Sequence, residues 1–439
     1  MPASLAAVKD TPFWWEAAPV GDLPAQEAPK QVDVAIVGAG YAGLSAALKL
    51  ARAGRSVVAF DRQMPGEGAS SRNGGITSGN IRPDHATLQR RFGPDRTMAI
   101  EREGKEARAF LYDFLREEGI DCDFQPVGRF NGALGTEDYD KLARNAEKLH
   151  RELGVEAYAV PHAEQHRYLG TDFYRGGAVR MDIGGLHPAK FHAELLRVAL
   201  EAGVTVLSRT AVLHINAEAD GFRVATSAGE VKARQVLVCT NGYTDGALPW
   251  LQRRIVPVRS RMIATEELPA ELMDRLMPRR MMCGETRELG FYYRPSPDGR
   301  RILLGGRDGS TKGNPVEPTL HLQRNLIAIF PELKDIRLTH SWFGHVAMHR
   351  DMVPRIFTQK GVVYATGFCG SGVVWAPWIG NRAADKLLGR KEPASAFDLR
   401  PPPFVPLYQG KPWFMPLFMA YFRALDRRMI RRSGRKDIS

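Results

Sequence analysis

The sequence has few cysteines and no long apolar run. Its four cysteines, Cys122, Cys239, Cys283 and Cys369, stand far apart without a CxxC pair, which argues against a disulfide framework or a structural zinc. No run reaches the ~18 apolar residues of a membrane span, and residues 1–30 lack the apolar core or twin arginine of an export signal. We therefore expect a cytoplasmic protein.

Acidic residues are outnumbered, and the formal net charge is +12. Such an excess raises nucleic acid or a membrane surface as partners. No nucleic-acid motif with base-stacking aromatics accompanies the charge, so we expect a basic surface and no nucleic-acid partner. The length of 439 residues predicts two domains, and the hydrophobic fraction of 44% is that of a globular protein.

The clearest pattern lies within residues 32–62. An apolar, β-branched run predicts a buried parallel strand, and the i, i+3, i+4, i+7 apolar spacing further on predicts a helix. Gly38, Gly40 and Gly43 form a G-x-G-x-x-G loop between them, which allows a tight turn, close approach to a pyrophosphate and close helix packing. Asp61 ends the next strand, where a carboxylate accepts hydrogen bonds from a ribose hydroxyl. This order predicts a dinucleotide site.

A second glycine- and serine-rich loop follows at residues 66–75. A flavin needs such a loop because backbone must approach both its ring system and its pyrophosphate. The sequence GASSRNGG resembles the D-amino-acid oxidase-like (DAO) family of FAD-dependent oxidoreductases, especially its γ-glutamylputrescine oxidase-like branch. Asp61 stands where that family usually has Glu, and Ser71 where Gly is common.

Three later blocks strengthen the resemblance. Residues 184–191 have the family's G-x-x-x-P-x-K pattern, residues 239–244 read CTNGYT, and residues 367–372 read GFCGSG. In the family a helix follows the last loop, and its positive end faces the flavin; here we expect it to begin around Pro377. The resemblance implies FAD contacts at Gly38, Gly40, Tyr41, Ala42, Gly43, Asp61, Arg62, Gly68, Ala69, Ser70, Ser71, Arg72, Asn73, Gly74, Gly75, Val212, Thr240, Asn241, Gly242, Gly367, Phe368, Gly370, Ser371, Gly372 and Val373.

The predicted fold class is α/β, with a doubly wound, Rossmann-like FAD-binding domain and an interleaved mixed α+β substrate domain that contains an antiparallel sheet. The predicted division is an N-terminal arm at 1–30, the FAD-binding domain at 31–94, 184–246 and 335–398, the substrate domain at 95–183 and 247–334, and a basic tail at 399–439.

Four residues are candidates for substrate contact: Tyr292, Arg294, Arg307 and His345. An arginine fork binds a carboxylate in a bidentate manner, so either arginine is a candidate anchor for an acidic substrate. Strand alternation places Tyr292 and Arg294 on one face. No metal is predicted, because His345 and His349 have no further ligand nearby.

The resemblance implies oxidation of the C–N bond of an amine or amino acid, with γ-glutamyl-polyamine-like compounds among the candidate substrates. Hydride passes to flavin N5, and the imine is then hydrolysed. His345 stands where some relatives have a cysteine bonded to the flavin, so a cysteinyl link is not expected; a histidyl link is the alternative, and we expect non-covalent FAD. No acid–base pair stands out, and no catalytic residue is predicted.

Several alternatives stay open. Leu303 stands where several oxidases of the family have a lysine that assists oxygen, so the electron acceptor is either oxygen or a quinone. One alternative function is an FAD-dependent dehydrogenase of a 2-hydroxy acid or similar alcohol that passes electrons to a quinone. Another is a non-catalytic RNA-binding protein with an FAD fold.

The two ends of the chain carry aromatic clusters. Trp14 and Trp15 are predicted to dock the N-terminal arm onto the body. Residues 412–422 are rich in aromatics and methionine and precede an arginine run, which is typical both of an interfacial membrane helix and of a docked terminal helix. Membrane contact would place the protein at the inner membrane face and favour a quinone as acceptor.

Overall fold

The computed structural model describes residues 8–390 and 394–432. The strands are β1 (Gln31–Val37), β2 (Val57–Phe60), β3 (Arg129–Gly132), β4 (Ala157–Val160), β5 (Gly177–Arg180), β6 (Thr205–Leu207), β7 (Val212–Glu218), β8 (Gly221–Thr226), β9 (Gly229–Val238), β10 (Val256–Thr265), β11 (Met282–Glu285), β12 (Tyr292–Pro295), β13 (Ile302–Arg307), β14 (Leu338–Met348), β15 (Arg355–Gln359) and β16 (Val362–Thr366).

The α-helices are α1 (Tyr41–Arg52), α2 (Ala69–Arg72), α3 (His85–Phe92), α4 (Pro94–Glu117), α5 (Thr136–Leu153), α6 (Pro188–Glu201), α7 (Pro249–Gln252), α8 (Ala270–Leu276), α9 (Glu317–Ile329), α10 (Gly372–Leu387) and α11 (Met415–Arg432). Short 3₁₀ helices cover Phe13–Glu16, His162–Arg167, Asn241–Tyr243 and Pro331–Leu333.

The first sheet is built around β1, in the order β15-β16-β9-β1-β2-β6. β1 pairs in parallel with β2 and β9, and the parallel pairing extends to β6 and β16. α1 contacts both α6 and α10, and the apolar side chains of these helices join those of the strands in one core. The β7–β8–β9 meander extends the sheet. The parallel sheet confirms the predicted α/β class.

The second sheet has the order β14-β10-β13-β12-β11-β3-β5-β4. All its pairings are antiparallel except that of β11 with β3. α8 and α9 bury their apolar sides against it. The predicted mixed domain with an antiparallel sheet is therefore present, and its strands come from two separate stretches of the chain.

Two elements lie across the predicted domain division. β14, assigned to the FAD-binding part, pairs along its length with β10 of the second sheet. α4, assigned to the substrate part, packs on α10 and adds Ile100, Ala107 and Leu111 to the core of the first sheet. Both contacts join chain segments that are far apart in sequence, and the local periodicity of a sequence does not predict such contacts.

The helix that follows the last glycine-rich loop begins earlier than predicted. α10 starts at Gly372, and Pro377 lies inside it, so the expected start around Pro377 is wrong by about one turn. The proline lacks the N–H for one intrahelical hydrogen bond, and its carbonyl accepts the hydroxyl of Ser45 at 2.8 Å. A Cβ on Gly380 would lie 2.1 Å from the carbonyl oxygen of Ala42, so glycine allows α1 and α10 to touch backbone to backbone.

Both ends of the described chain pack on the body. Trp14 is fully buried, and the inner side of α11 is buried through Met415, Met419 and Ile430. Residues 433–439, the last part of the predicted basic tail, lie outside the described residues, as do 1–7 of the arm. None of the helices described has the length and hydropathy needed to cross a bilayer.

Candidate functional site

The glycine-rich turn after β1 is closely packed. A Cβ on Gly43 would lie 1.9 Å from the carbonyl oxygen of Gly38, so only glycine allows α1 to start so near the strand. Gly38 has a φ of +103°, a value that favours glycine. At Gly40 a Cβ would lie 2.7 Å from the Oγ of Ser70, and that oxygen accepts the backbone N–H of Tyr41. The two predicted glycine-rich loops therefore meet at the N-terminus of α1.

Asp61 follows β2 and faces this turn. Its carboxylate accepts the backbone N–H groups of Ala39 and Gln63, both at 3.0 Å. Burial raises its pKa to about 6, against the opposing effect of these hydrogen bonds. At neutral pH most molecules carry the ionised carboxylate, which has lone pairs left to accept from a ligand.

The loop at residues 68–75 is held by three tryptophans. Their indole N–H groups donate to three consecutive residues, each at 2.8 Å. The pairs are Trp15 with the Oγ of Ser71, Trp342 with the carbonyl of Arg72, and Trp14 with the carbonyl of Asn73. Trp14 comes from the N-terminal arm and Trp342 from β14, so distant parts of the chain fix this loop.

The ends of β9 and β16 are tied together by Asn241. Its Oδ1 accepts the backbone N–H of Gly367 at 2.9 Å, and its own φ is +44°. A Cβ on Gly367 would lie 2.2 Å from the ring of His349, and one on Gly242 would lie 2.9 Å from the carbonyl oxygen of His345. Glycine is therefore required at both positions for the loops to pack.

A long cavity runs between these loops along the carboxyl ends of β1, β2 and β9. Most predicted cofactor residues line it, namely Gly38, Gly40, Tyr41, Ala42, Asp61, Arg62, Gly68, Ala69, Ser70, Val212, Thr240, Asn241, Phe368, Gly370, Gly372, Val373 and Asn73. Five predicted residues line neither this cavity nor the adjoining one: Gly43, Ser71, Gly75, Gly242 and Gly367. Ser71, for example, is fully buried and donates to the carbonyl of Gly66, so it supports the loop from behind.

A second cavity, here called the inner chamber, adjoins the long cavity and reaches the second sheet. Arg72, Gly74 and Ser371 of the predicted cofactor set line it. The two cavities share the wall residues Ala69, Asn73, His345, Val346, Cys369, Gly370, Gly372 and Val373. A ligand in the long cavity therefore has one end at the inner chamber.

Two arginines face the inner chamber beside Gly370. A Cβ on Gly370 would lie 3.1 Å from the Nη2 of Arg307 and 3.6 Å from that of Arg82. Burial, reinforced by the charge of Arg82, lowers the pKa of Arg307 to about 10. The neighbouring carboxylate of Asp308 is bonded to Arg261 at 3.1 Å, and no ion pair of Arg307 is found within the described chain. The chamber therefore presents positive charge that a bound anion would neutralise.

Tyr292 closes the chamber on the side of the second sheet. Its hydroxyl lies 3.1 Å from the Oγ of Ser260, and a Cβ on Gly74 would lie 2.8 Å from its ring. Burial raises the pKa of Tyr292, so the hydroxyl is protonated at neutral pH. Tyr292 and Arg294 lie on one face of β12 as predicted, whereas Tyr293 bonds to Tyr174 on the opposite face.

Arg294, however, lines neither cavity. Its guanidinium is fully buried, donates to the carbonyls of Leu186 at 2.7 Å and Gly75 at 3.4 Å, and lies over the ring of Trp14. The structure therefore places the predicted anchor Arg294 away from both cavities, where its side chain joins the arm, the loop and the second sheet.

Comparison with known protein families identifies the chain. Residues 33–386 match the model of the DAO family, described as FAD dependent oxidoreductase. The chain belongs to the DAO family. FAD is therefore its cofactor, and the resemblance found in the glycine-rich loops is confirmed.

Sequence similarity to known proteins extends over most of this chain. The chain is 30% identical over 410 residues to the probable oxidoreductase OrdL of Rhizobium meliloti, with 90% of this chain and 92% of the relative covered. It is 28% identical over 370 residues to the gamma-glutamylputrescine oxidoreductase of Escherichia coli, with 83% and 85% covered. The crystal structure of glycine oxidase from Geobacillus kaustophilus has the same fold, with a TM-score of 0.71, 20% identity, and 84% of this chain and 99% of that chain covered.

The residues present fit the cofactor of the DAO family. Gly38 and Gly40 leave the N-terminus of α1 open to a phosphate, and Asp61 offers acceptor oxygens in the same cavity. The N-terminus of α10 lies at the other end, where the two cavities meet. The long cavity thus provides groups suited to both ends of a dinucleotide.

His345 lies in the wall shared by the two cavities, on β14. Its ring packs edge-on against Tyr243 at 5.3 Å, and burial, together with Arg259, lowers its pKa, so the imidazole is neutral at pH 7. His345 lies on strand β14 and His349 directly after its end, so the two histidines do not share a helix. Within the described chain there is no group of three His, Cys, Asp or Glu residues suited to a metal ion.

Several wall residues were not predicted. Arg82 and Arg129 line the chamber, and Gln63, Thr210 and Tyr243 line the long cavity. Tyr243 lies inside the CTNGYT block and Gln63 follows Arg62, so these two had a local signal. Arg82 lies seven residues after Gly75 and Arg129 begins β3; neither belongs to a sequence motif, so neither had a local signal.

Proposed function

We propose that this protein oxidises the C–N bond of an amine or amino acid that carries a carboxylate, and that Arg307 and Arg82 bind this carboxylate in the inner chamber. The observation that supports the proposal is the pair of guanidinium groups beside Gly370, next to the cofactor cavity and without a carboxylate partner for Arg307. Arginine forks bind carboxylates through paired, charge-assisted hydrogen bonds.

The relatives support this substrate class. Gamma-glutamylputrescine oxidoreductase and glycine oxidase are named for an amine and an amino acid, and a γ-glutamyl amide of a diamine carries both a carboxylate and an oxidisable amine. A γ-glutamyl-polyamine-like compound and a small amino acid both fit a site with one anion-binding end.

In this proposal each group of chain residues has a defined role toward FAD. Backbone N–H groups near Gly38 and Gly40 bind the pyrophosphate, Asp61 accepts from the ribose, and the loop at 68–75 and the start of α10 hold the ring end. FAD, when bound there, would supply the acceptor for the hydride from the carbon that bears the substrate nitrogen. The position holds His345 where some relatives have a flavin-linked cysteine, and non-covalent attachment is part of this proposal.

The chamber also prepares the substrate nitrogen for oxidation. An amine must lose its ammonium proton before its carbon can release hydride. Arg307 and Arg82 place positive charge in a buried chamber, which disfavours a second cation there. Binding in the chamber is therefore expected to lower the pKa of the substrate ammonium.

Oxidation of a 2-hydroxy acid is the second candidate, because its carboxylate suits the same arginines. The deciding experiment follows the visible flavin spectrum under anaerobic conditions while γ-glutamyl-putrescine, glycine, sarcosine, lactate and a simple diamine are added in turn. Bleaching by a carboxylate-bearing amine supports the proposal, and bleaching by lactate alone overturns it in favour of the hydroxy acid.

The acceptor is tested on the same reduced sample. No lysine lines either cavity of the described chain, and Leu303 is fully buried beside Trp14 and Met262. We propose that a quinone accepts the electrons. Reoxidation by a soluble quinone analogue that is faster than reoxidation by air supports this; the reverse order identifies an oxidase.

A further inference from the structure

Exposed apolar side chains are concentrated at the C-terminal end of the described chain. Of seven large apolar residues that are exposed, six lie within residues 404–421. They are Phe404, Leu407, Trp413, Leu417, Phe418 and Tyr421, and Leu407 and Leu417 have exposed fractions of 86% and 72%. We call these six residues the tail patch. An apolar patch of this kind on a protein surface marks an interaction site.

The tail patch is held in place because α11 is docked on its other side. Met415 and Met419 pack against Val256 and Val258 of β10. The buried carboxylate of Asp426 accepts the backbone N–H groups of Glu288 and Leu289. The outward direction of Leu417 and Tyr421 is therefore fixed by the fold.

Basic residues continue the same surface along α11. Arg427, Arg428 and Arg431 are exposed, and within the described residues none of them forms an ion pair. Asp426 is the one acidic residue between 399 and 432, and it points inward. The outer side of the tail therefore combines aromatic and aliphatic groups with unopposed positive charge.

We propose that the tail patch and the exposed arginines of α11 bind the surface of an anionic phospholipid bilayer. Tryptophan, tyrosine and leucine on one side of a helix enter the boundary between headgroups and acyl chains, while arginines contact lipid phosphates. An acidic protein partner would complement the positive charge of the exposed arginines, but it would not account for the exposed aromatic residues of the tail patch. The inference is independent of the substrate, and it places the wall of the inner chamber formed by Glu288 and Leu289 close to the membrane.

The test is sedimentation of the FAD-loaded protein with vesicles of phosphatidylcholine alone and of phosphatidylcholine mixed with phosphatidylglycerol. Binding to the anionic vesicles alone, weakened by salt, is the expected result. Each arginine near an anionic surface contributes about fivefold in binding, so Arg427→Gln, Arg428→Gln and Arg431→Gln together should weaken it on the order of a hundredfold. Leu417→Ser with Tyr421→Ser should weaken it at least roughly tenfold.

Matched controls separate the patch from general surface properties. Leu213→Ser removes an exposed leucine outside the tail patch, and Arg55→Gln, Arg102→Gln and Arg144→Gln remove the same charge from exposed positions on the body. These variants should bind vesicles as the parent protein does. Unchanged flavin absorbance and thermal midpoint in all variants show that the fold is intact.

Three results would overturn the proposal. The first is equal sedimentation of parent and arginine variant with anionic vesicles, or no sedimentation at all. The second is a dimer in lipid-free sedimentation velocity that Leu417→Ser with Tyr421→Ser dissociates, without vesicle binding. The third is binding of single-stranded RNA that the arginine variant loses, again without vesicle binding.

Discussion

The carboxylate of Asp426 in α11 accepts the backbone N–H of Glu288 at 2.7 Å. The same carboxylate accepts the N–H of Leu289 at 3.1 Å, and both of these residues line the inner chamber. One carboxylate near the end of the described chain therefore holds part of the wall of the candidate substrate site.

Replacement of Asp426 tests this connection. In Asp426→Ala two N–H groups lose their acceptor, which should lower the free energy of unfolding by roughly 1–3 kcal/mol and raise KM more than it changes kcat. Asp426→Asn retains one acceptor oxygen, so its free energy of unfolding and its KM should both lie between those of Asp426→Ala and the parent. Chemical denaturation and steady-state kinetics on the identified substrate measure the two effects. Unchanged KM in Asp426→Ala would show that the contact serves stability alone.

Arg307 is expected to bind the substrate carboxylate. Arg307→Met should raise KM by roughly 10–100-fold for a carboxylate-bearing amine, since charged hydrogen bonds contribute about 1.5–3 kcal/mol. Arg307→Lys keeps the positive charge but lacks the guanidinium fork, so its KM should lie between those of the parent and of Arg307→Met. A diamine without a carboxylate is the control substrate, and its KM should not rise; an equal rise for both substrates would contradict a role in carboxylate binding.

Trp14 should affect the retention of FAD. Trp14→Phe keeps a ring in the buried position but removes the donor to the carbonyl of Asn73, so we expect a dissociation constant for FAD about fivefold higher, corresponding to roughly 1 kcal/mol. Titration of the apoprotein with FAD measures it. Trp413→Phe is the matched control, since its indole N–H donates to the carbonyl of Leu407 far from the cofactor loop. Equal affinities in Trp14→Phe and the parent would show that the loop needs no such support.

Asp61 makes the stability of the apoprotein depend on pH. Its pKa is raised by burial from 3.8 to about 6 in the folded state, so the folded protein binds a proton there more tightly than the unfolded chain. This contribution is complete below the unfolded pKa and is lost as pH rises through about 6. Relative to Asp61→Asn, the apoprotein should lose roughly 3 kcal/mol between about pH 4 and pH 7. Urea denaturation of both proteins across this range measures the difference, and parallel pH profiles would refute the shift.

The sequence predicted the cofactor-binding fold well because its signals are local. Gly38, Gly40, Gly43 and Asp61 belong to one strand–loop–helix–strand unit, and their spacing alone requires a close turn and a facing carboxylate. The start of α10 was missed by about one turn because Pro377, a residue typical of a first helical turn, lies inside this helix.

The inner chamber was predicted less well because it depends on long-range packing. Strand alternation correctly placed Tyr292 and Arg294 on one face. Strand alternation does not indicate that the guanidinium of Arg294 donates to the carbonyls of Leu186 and Gly75, because both residues are distant from Arg294 in the sequence. Arg82 is held at the chamber by its Nε, which donates to the carbonyl of Cys369 in the GFCGSG block at 3.1 Å, a contact that the sequence does not reveal because Arg82 belongs to no motif.

The three indoles that hold the loop at 68–75 also have an optical consequence. Trp14, Trp15 and Trp342 are three of the seven tryptophans in the chain, and each is in direct contact with the loop that faces the cofactor. Indole emission overlaps flavin absorption, so an isoalloxazine bound beside this loop would accept excitation energy from these rings. Loading with FAD should quench much of the ultraviolet fluorescence, and release of the N-terminal arm should restore part of it. The protein thus contains a built-in fluorescent reporter of cofactor occupancy.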